Sequence, residues 1–198
     1  MKRGSIVVFA SGSGTTFKSI LDHSLLEESS FSVKALVTNK MDCGAVSIAR
    51  GSGLDVIHYP SHHESFLKND EPDLIVLAGF LKILQEDFVN RYGKKIINTH
   101  PSLLPSFGGK GFYGMRVHEE VKKSGAGISG FTVHMVDSSI DSGTIIAQYP
   151  VPILPSDTPE DIAHRVHILE LENFPLVIDS MIRYGFRIEE DSVRIDYA

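Results

Sequence analysis

Two short stretches constrain the fold of this chain more than any other feature. Ile6-Val7-Val8-Phe9-Ala10 and Leu74-Ile75-Val76-Leu77-Ala78 are apolar at every consecutive position. A strand that can expose neither face must be covered on both, which is the condition of a parallel sheet with helices on its two sides. The first run ends in Ser11-Gly12-Ser13-Gly14, after which Phe17, Ile20, Leu21 and Leu25 recur at three- and four-residue steps. That spacing predicts a helix from near Thr15 with one apolar face. Strand, tight turn and helix together form the repeating unit of doubly wound sheets.

The rest of the chain continues the alternation. Strands are predicted over 5–10, 31–37, 55–59, 74–78 and 96–100, the last ending at Pro101, which has no amide for a ladder. Helices are predicted over 42–52, in a short piece after Ser61, and near 117–123. Residues 102–114 are rich in glycine and read as a loop. Residues 128–136 and 144–151, rich in β-branched side chains, flank a polar loop and suit an antiparallel pair. Thr158-Pro159-Glu160-Asp161 is a helix start, with a capping hydroxyl, proline at the first helical position and acids in the first turn. The helix should run to Arg183 and bend near Leu171, because Pro175 removes one internal hydrogen bond. The expected fold is α/β: one domain over 1–198, an open, mostly parallel twisted sheet with helices on both faces and antiparallel strands toward the carboxyl-terminal part.

Composition narrows the function classes. The 198 residues are 42% hydrophobic and 22% charged, values of an ordinary globular chain. No apolar run reaches the ~20 residues of a membrane span, and Met1-Lys2-Arg3 leads into a strand and not a secretory core, so a soluble, cytoplasmic protein with no membrane partner is expected. The net charge of -6 disfavours a general nucleic-acid surface. Cys43 is the only cysteine, which excludes an internal disulfide and a zinc site of paired thiolates. His62-His63-Glu64 and His118-Glu119-Glu120 lack the spacing of helical zinc motifs and read as surface residues.

Three clusters could carry chemistry. The Gly12-Ser13-Gly14-Thr15-Thr16 turn precedes a helix, whose free amides suit an anion. The dinucleotide fingerprint fails, because Phe17 stands where a third glycine is required and the second strand ends in Val37-Thr38-Asn39-Lys40 without an acid. A Walker loop fails as well, since the only Gly-Lys is followed by Gly111. A phosphomonoester site and a plain tight turn both remain open. Asn98 and His100 are two apart on a strand and so share a face, where an amide donor and an imidazole could stabilise an oxyanion or move a proton. Asp137 and Asp141 lie between two strands, either as turn caps or as a carboxylate partner for His100. No Gly-x-Ser-x-Gly elbow is present.

The order of these features is more specific than any one of them. Ser11-Gly12-Ser13-Gly14, Leu77-Ala78-Gly79-Phe80-Leu81-Lys82-Ile83-Leu84, Ile97-Asn98-Thr99-His100-Pro101-Ser102-Leu103-Leu104-Pro105, then His134, Asp137 and Asp141-Ser142-Gly143 together resemble the folate-dependent formyltransferases. The resemblance covers roughly residues 6–178. It implies 10-formyltetrahydrofolate as the formyl donor, the amine of glycinamide ribonucleotide as acceptor, a place in purine synthesis, no metal, and a monomer or homodimer. By the same resemblance Asn98 and His100 would stabilise the oxyanion, with His100 as acid. Asp141 would keep His100 protonated and assist proton removal through water. Gly14, Thr15 and Thr16 would hold the phosphate and Glu170 the substrate amine. The folate ring would lie against Leu81, Lys82, Ile83 and Leu84 and against 137–141, including Asp137 and Asp141, with Asn98 nearby.

The chain departs from the family pattern in three places. Thr15-Thr16 replaces a common Ser-Asn, an arginine is missing near His63, and the loop at 107–114 is longer than in many members. Water or charged tRNA as acceptor belongs to relatives that resemble this core with an added amino-terminal or carboxy-terminal domain, which a chain of 198 residues is not expected to carry.

Overall fold

The computed structural model describes residues 3–60, 67–68, 70–189 and 192–195. Along the chain run β1 (Gly4–Phe9), α1 (Thr15–Ser24), β2 (Phe31–Thr38), α2 (Gly44–Gly51), β3 (Asp55–His58), β4 (Leu74–Leu77), α3 (Glu86–Tyr92), a 3-10 turn (Gly93–Lys95) and β5 (Ile96–His100). Then follow α4 (Met115–Ser124), β6 (Ile128–Met135), β7 (Ile145–Pro152), α5 (Pro159–Tyr184), β8 (Phe186–Ile188) and β9 (Val193–Ile195). Among the described residues the main sheet has seven strands in the order β3-β2-β1-β4-β5-β6-β7. Pairing is parallel from β3 through β5 and antiparallel from β5 to β7.

The apolar runs are buried on both faces, as their sequence requires. Ile6, Val8 and Ala10 point into one core, beneath α1, α2 and α5, and Val7 and Phe9 into the other, with Phe88 and Tyr92 of α3. All five of these side chains are 0% exposed. Burying a large aliphatic or aromatic one contributes roughly 1.5–3 kcal/mol relative to leaving it in water.

The capping box of α5 is formed: Thr158 Oγ1 accepts from the Asp161 amide at 3.2 Å, and Asp161 Oδ2 accepts from the Thr158 amide at 2.9 Å. Helix α5 runs continuously through Pro175. The Leu171 carbonyl, which Pro175 has no amide to serve, accepts from Ser19 Oγ of α1 at 2.5 Å.

Two features were not anticipated from the sequence. Helix α3 spans only seven residues, fewer than two turns, so its periodicity is too brief to read. The β8-β9 hairpin pairs three residues a side and likewise carries too few alternations. The helix expected after Ser61 lies mostly outside the described residues, as do His62, His63 and Glu64. No helix among the described residues is long and apolar enough to cross a membrane.

Candidate active site

Strand order reverses between β1 and β4, the point at which open α/β sheets bind ligands beyond their carboxyl ends. A cleft of about 930 Å³ opens there. Gly14, Thr15 and Thr16 line it beyond β1; Leu81, Lys82, Ile83 and Leu84 beyond β4; Asn98 and His100 at the end of β5; Asp137 and Asp141 after β6; and Glu170 from α5. The residues that the resemblance assigns to a site therefore line one cleft.

Gly14 sits at φ 85°, left-handed, immediately before α1. A side chain there would be strained, and its Cβ would come within 2.7 Å of the Ala45 Cα, so only glycine lets α1 start this close to α2. The Lys18 amide is bonded back to the Gly14 carbonyl at 2.8 Å, while the amides before it are those that a helix start leaves open. Those amides and the positive end of α1 face the cleft beside the Ser13 and Thr15 hydroxyls, whose oxygens are 3.4 Å apart. The turn is thus an anion-binding geometry as well as a chain reversal.

One face of β5 carries the polar pair. Asn98 lies opposite His134 in the antiparallel ladder, and its Nδ2 is 3.1 Å from His134 Nε2. His134 Nδ1 donates to its neighbour's carbonyl, Met135 O, at 2.8 Å, which leaves Nε2 as the acceptor for the amide of Asn98. Burial pushes the His134 ionisation below the ordinary histidine value, against smaller opposing pulls from the Met135 carbonyl and Asp141, so the neutral ring that can accept is the favoured one. The Asn98 amide is fixed by one N–H and keeps the other for the cleft.

His100 is 4% exposed, with Nε2 2.8 Å from the Phe107 carbonyl and Nδ1 3.4 Å from Asp141 Oδ2. Nε2, set against a carbonyl that can only accept, carries a proton, and Nδ1 faces the carboxylate. Asp141 adopts φ 55° and its Oδ2 also accepts from the Gly109 amide at 3.0 Å, which ties it to the glycine-rich loop. The tight approach around it is set by Gly143, where a Cβ would stand 1.8 Å from the Met135 carbonyl oxygen. The loop start is held from behind. Thr132 Oγ1 donates to the Ser102 carbonyl at 2.7 Å and accepts from the Leu104 amide at 3.0 Å.

The other face of β5 carries a second network. Thr99 Oγ1 donates to Glu170 Oε1 at 2.7 Å, Glu170 Oε2 is 3.3 Å from His167 Nδ1, and His167 Nε2 is 3.0 Å from Thr15 Oγ1. It joins α5, β5 and the turn before α1. Neither His134 nor His167 was assigned a role from the sequence. The first is placed only by β5-β6 register, whereas the second stands three residues before Glu170 on a helix, a spacing that puts both on one face.

Beyond β4 the cleft is rimmed by Leu81 and Ile83, 63% and 71% exposed, a flat apolar edge suited to a ring. The Lys82 ammonium lies 5.7 Å from the centre of the Tyr59 ring. Asp137 caps its own loop, with Oδ1 accepting from the Ser139 amide and the Ser142 hydroxyl at 2.9 and 2.8 Å. The reading of His118 as a surface residue is overturned. On α4 it is 5% exposed between buried Val117 and Val121, because the helix turns that position inward. Its Nδ1 has no hydrogen-bond partner among the described residues, and burial, with His100 nearby, pushes its ionisation down to about 4.

The family model of the formyl transferases matches residues 4–178. The chain belongs to the formyl transferase family. This formyl transferase is 40% identical over 204 residues to phosphoribosylglycinamide formyltransferase, chloroplastic, of Vigna unguiculata, covering 98% of this chain and 65% of that protein. The protein of the same name in Arabidopsis thaliana is 37% identical, with 97% and 70% covered. The crystal structure of phosphoribosylglycinamide formyltransferase from Anaplasma phagocytophilum superposes with a TM-score of 0.89 at 32% identity, covering 98% of this chain and 94% of that one.

Proposed function

We propose that this formyl transferase moves the formyl group of 10-formyltetrahydrofolate to the amine of glycinamide ribonucleotide, a step of purine synthesis, and that residues 1–198 act as one catalytic domain in an aqueous compartment such as the cytoplasm. The observation that carries this reading is the placement of an anion-binding turn, an amide-imidazole-carboxylate group and an apolar ring edge around one cleft. Its volume lies within the range of small-molecule sites and at the upper end, as two ligands side by side require.

In this reading the phosphate sits on the amides of Gly14, Thr15 and Thr16, and Glu170 holds the amine end. The pterin lies against Leu81 to Leu84 and the 137–141 loop, with the formyl group toward Asn98 and His100. The amine attacks the formyl carbon, a carbon–nitrogen bond forms, and negative charge develops on the formyl oxygen. Asn98, fixed by His134, donates to that oxygen, and His100 Nε2 joins it by exchanging the Phe107 carbonyl for the formyl oxygen. The attacking nitrogen loses a proton through water to Asp141, the bond from the formyl carbon to the folate nitrogen breaks, and His100 supplies the proton the leaving nitrogen takes. None of these steps calls for a metal.

The test follows folate absorbance with purified protein and 10-formyltetrahydrofolate, in the presence of glycinamide ribonucleotide, of non-phosphorylated glycinamide, or of water alone. Formyl loss that needs the ribonucleotide is the expected result. Equal loss with water alone would make the chain a hydrolase and overturn the acceptor.

A further inference from the structure

The segment that would meet the folate ring leaves β4 without a ladder partner. Gly79 turns it out of the strand at φ 67°, and the Gly79 carbonyl accepts from the Ser11 amide at 3.2 Å. From Phe80 to Leu84 no backbone amide or carbonyl is hydrogen-bonded among the described residues. The strap still alternates as an extended chain does: Leu81 and Ile83 stand exposed, while Phe80, Lys82 and Leu84 turn back toward the core.

One side chain meets that inner side three times. Tyr59, the residue after β3, is fully buried. Its ring stands at right angles to Phe80 with centres 5.5 Å apart, the Lys82 ammonium lies over it at 5.7 Å, and its hydroxyl oxygen accepts from the Gln85 amide at 2.9 Å. Tyr59 is itself fixed, because its amide donates to the Thr38 carbonyl at 2.8 Å and Phe9 and Phe88 flank the ring at 6.0 and 6.2 Å. Phe9, Phe80 and Phe88 carry no polar atom, so packing alone does not call for a phenol here. A buried hydroxyl needs a partner, and the partner of this one is the far end of the strap.

We propose that Tyr59 is a positioning residue for the formyl donor: from behind the cleft it fixes the strap at Phe80, Lys82 and Gln85, and so sets the spacing of the open amides and carbonyls of 81–84 against the edge of the pterin. The inference rests on the reading of 81–84 as the folate side of the cleft. A row of backbone donors and acceptors selects a flat heterocycle only when it is held to within about 0.5 Å, and a segment with no ladder bonds has no register of its own. Tyr59 does not line the cleft, so it acts through the strap and touches neither ligand.

The test is calorimetric binding of 10-formyltetrahydrofolate and, separately, of glycinamide ribonucleotide to the full chain, in the parent, Tyr59→Phe, Gln85→Pro and the double variant. Tyr59→Phe removes only the hydroxyl. Gln85→Pro removes the amide at a φ of -67°, the angle a proline ring imposes. Each single variant should bind the folate roughly 3- to 10-fold more weakly, the worth of one hydrogen bond, and the ribonucleotide within about 2-fold of the parent. The double variant should lose no more than either single one, since both cut the same bond. Either single variant carries the test if the other does not fold. Unchanged folate affinity, equal losses for both ligands, or additive losses in the double variant would overturn the role of Tyr59 and leave the folate reading standing. A parent chain that binds the ribonucleotide but no 10-formyltetrahydrofolate would overturn the folate reading, and the role of Tyr59 with it.

Discussion

The two faces of β5 set histidine to opposite ends. On the Asn98 face, His134 is walled in by the sheet, and burial keeps its ring neutral and accepting. On the Thr99 face, His167 stands at the cleft edge against Glu170, and the carboxylate favours its charged form. The same side chain is an amide clamp on one side and is drawn toward its charged form on the other, and its surroundings alone make the difference. One strand therefore carries, on one face, an amide donor fixed by a neutral ring and, on the other, a network built around a carboxylate.

Three substitutions press on this contrast. The largest effect is expected for His100→Ala, which in the proposed mechanism removes a donor from the reacting oxygen and should lower kcat on the order of 10²-fold or more while leaving ribonucleotide KM nearly unchanged. An unaltered kcat in steady-state assays would show that the Asn98 face is not where chemistry occurs. His118→Leu probes the burial that dominates this face. In the folded chain His118 ionises near 4, whereas its unfolded value is near 6.5. Above pH 6.5 both states are neutral at this ring and stability is complete. As pH falls toward 4 the unfolded chain takes up a proton that the folded chain refuses, and about 3 kcal/mol is lost. Urea midpoints from pH 4.5 to 7 should therefore slope less in His118→Leu than in the parent; equal slopes would refute the buried neutral ring. The smallest effect is expected on the charged side, where Thr16→Asn adds an amide donor at the turn. KM for the ribonucleotide should change by about 2- to 10-fold, the net worth of one hydrogen bond, with kcat preserved. A large drop in kcat at saturation would place Thr16 in the chemical step.

Much of the fold was legible because its strands are apolar on both faces. The strand at Ile96–His100 begins and ends where read, since Pro101 closes it, and Thr158 to Asp161 announced α5 in full. What could not be read depends on register and on close packing. His134 faces Asn98 only because β5 and β6 pair as they do, which residue spacing within either strand does not encode. His118 looked superficial beside Glu119 and Glu120, but the helix turns it inward while its neighbours remain outside. The Asp141 carboxylate reaches His100 through a left-handed backbone at Asp141 itself, and sequence offered no glycine there to mark it.

The hydrogen bond from Ser19 to the Leu171 carbonyl has a mechanical consequence. Pro175 leaves a missing rung in α5, and that rung is filled by a side chain of α1, the helix whose first turn carries Thr15 and Thr16. Glu170 and His167 lie within one turn of the joint. Tilting α5 would drag the start of α1 with it, so the two groups proposed to grip the ends of the acceptor are yoked and keep a fixed span, like the jaws of a gauge set to the length of the molecule it measures.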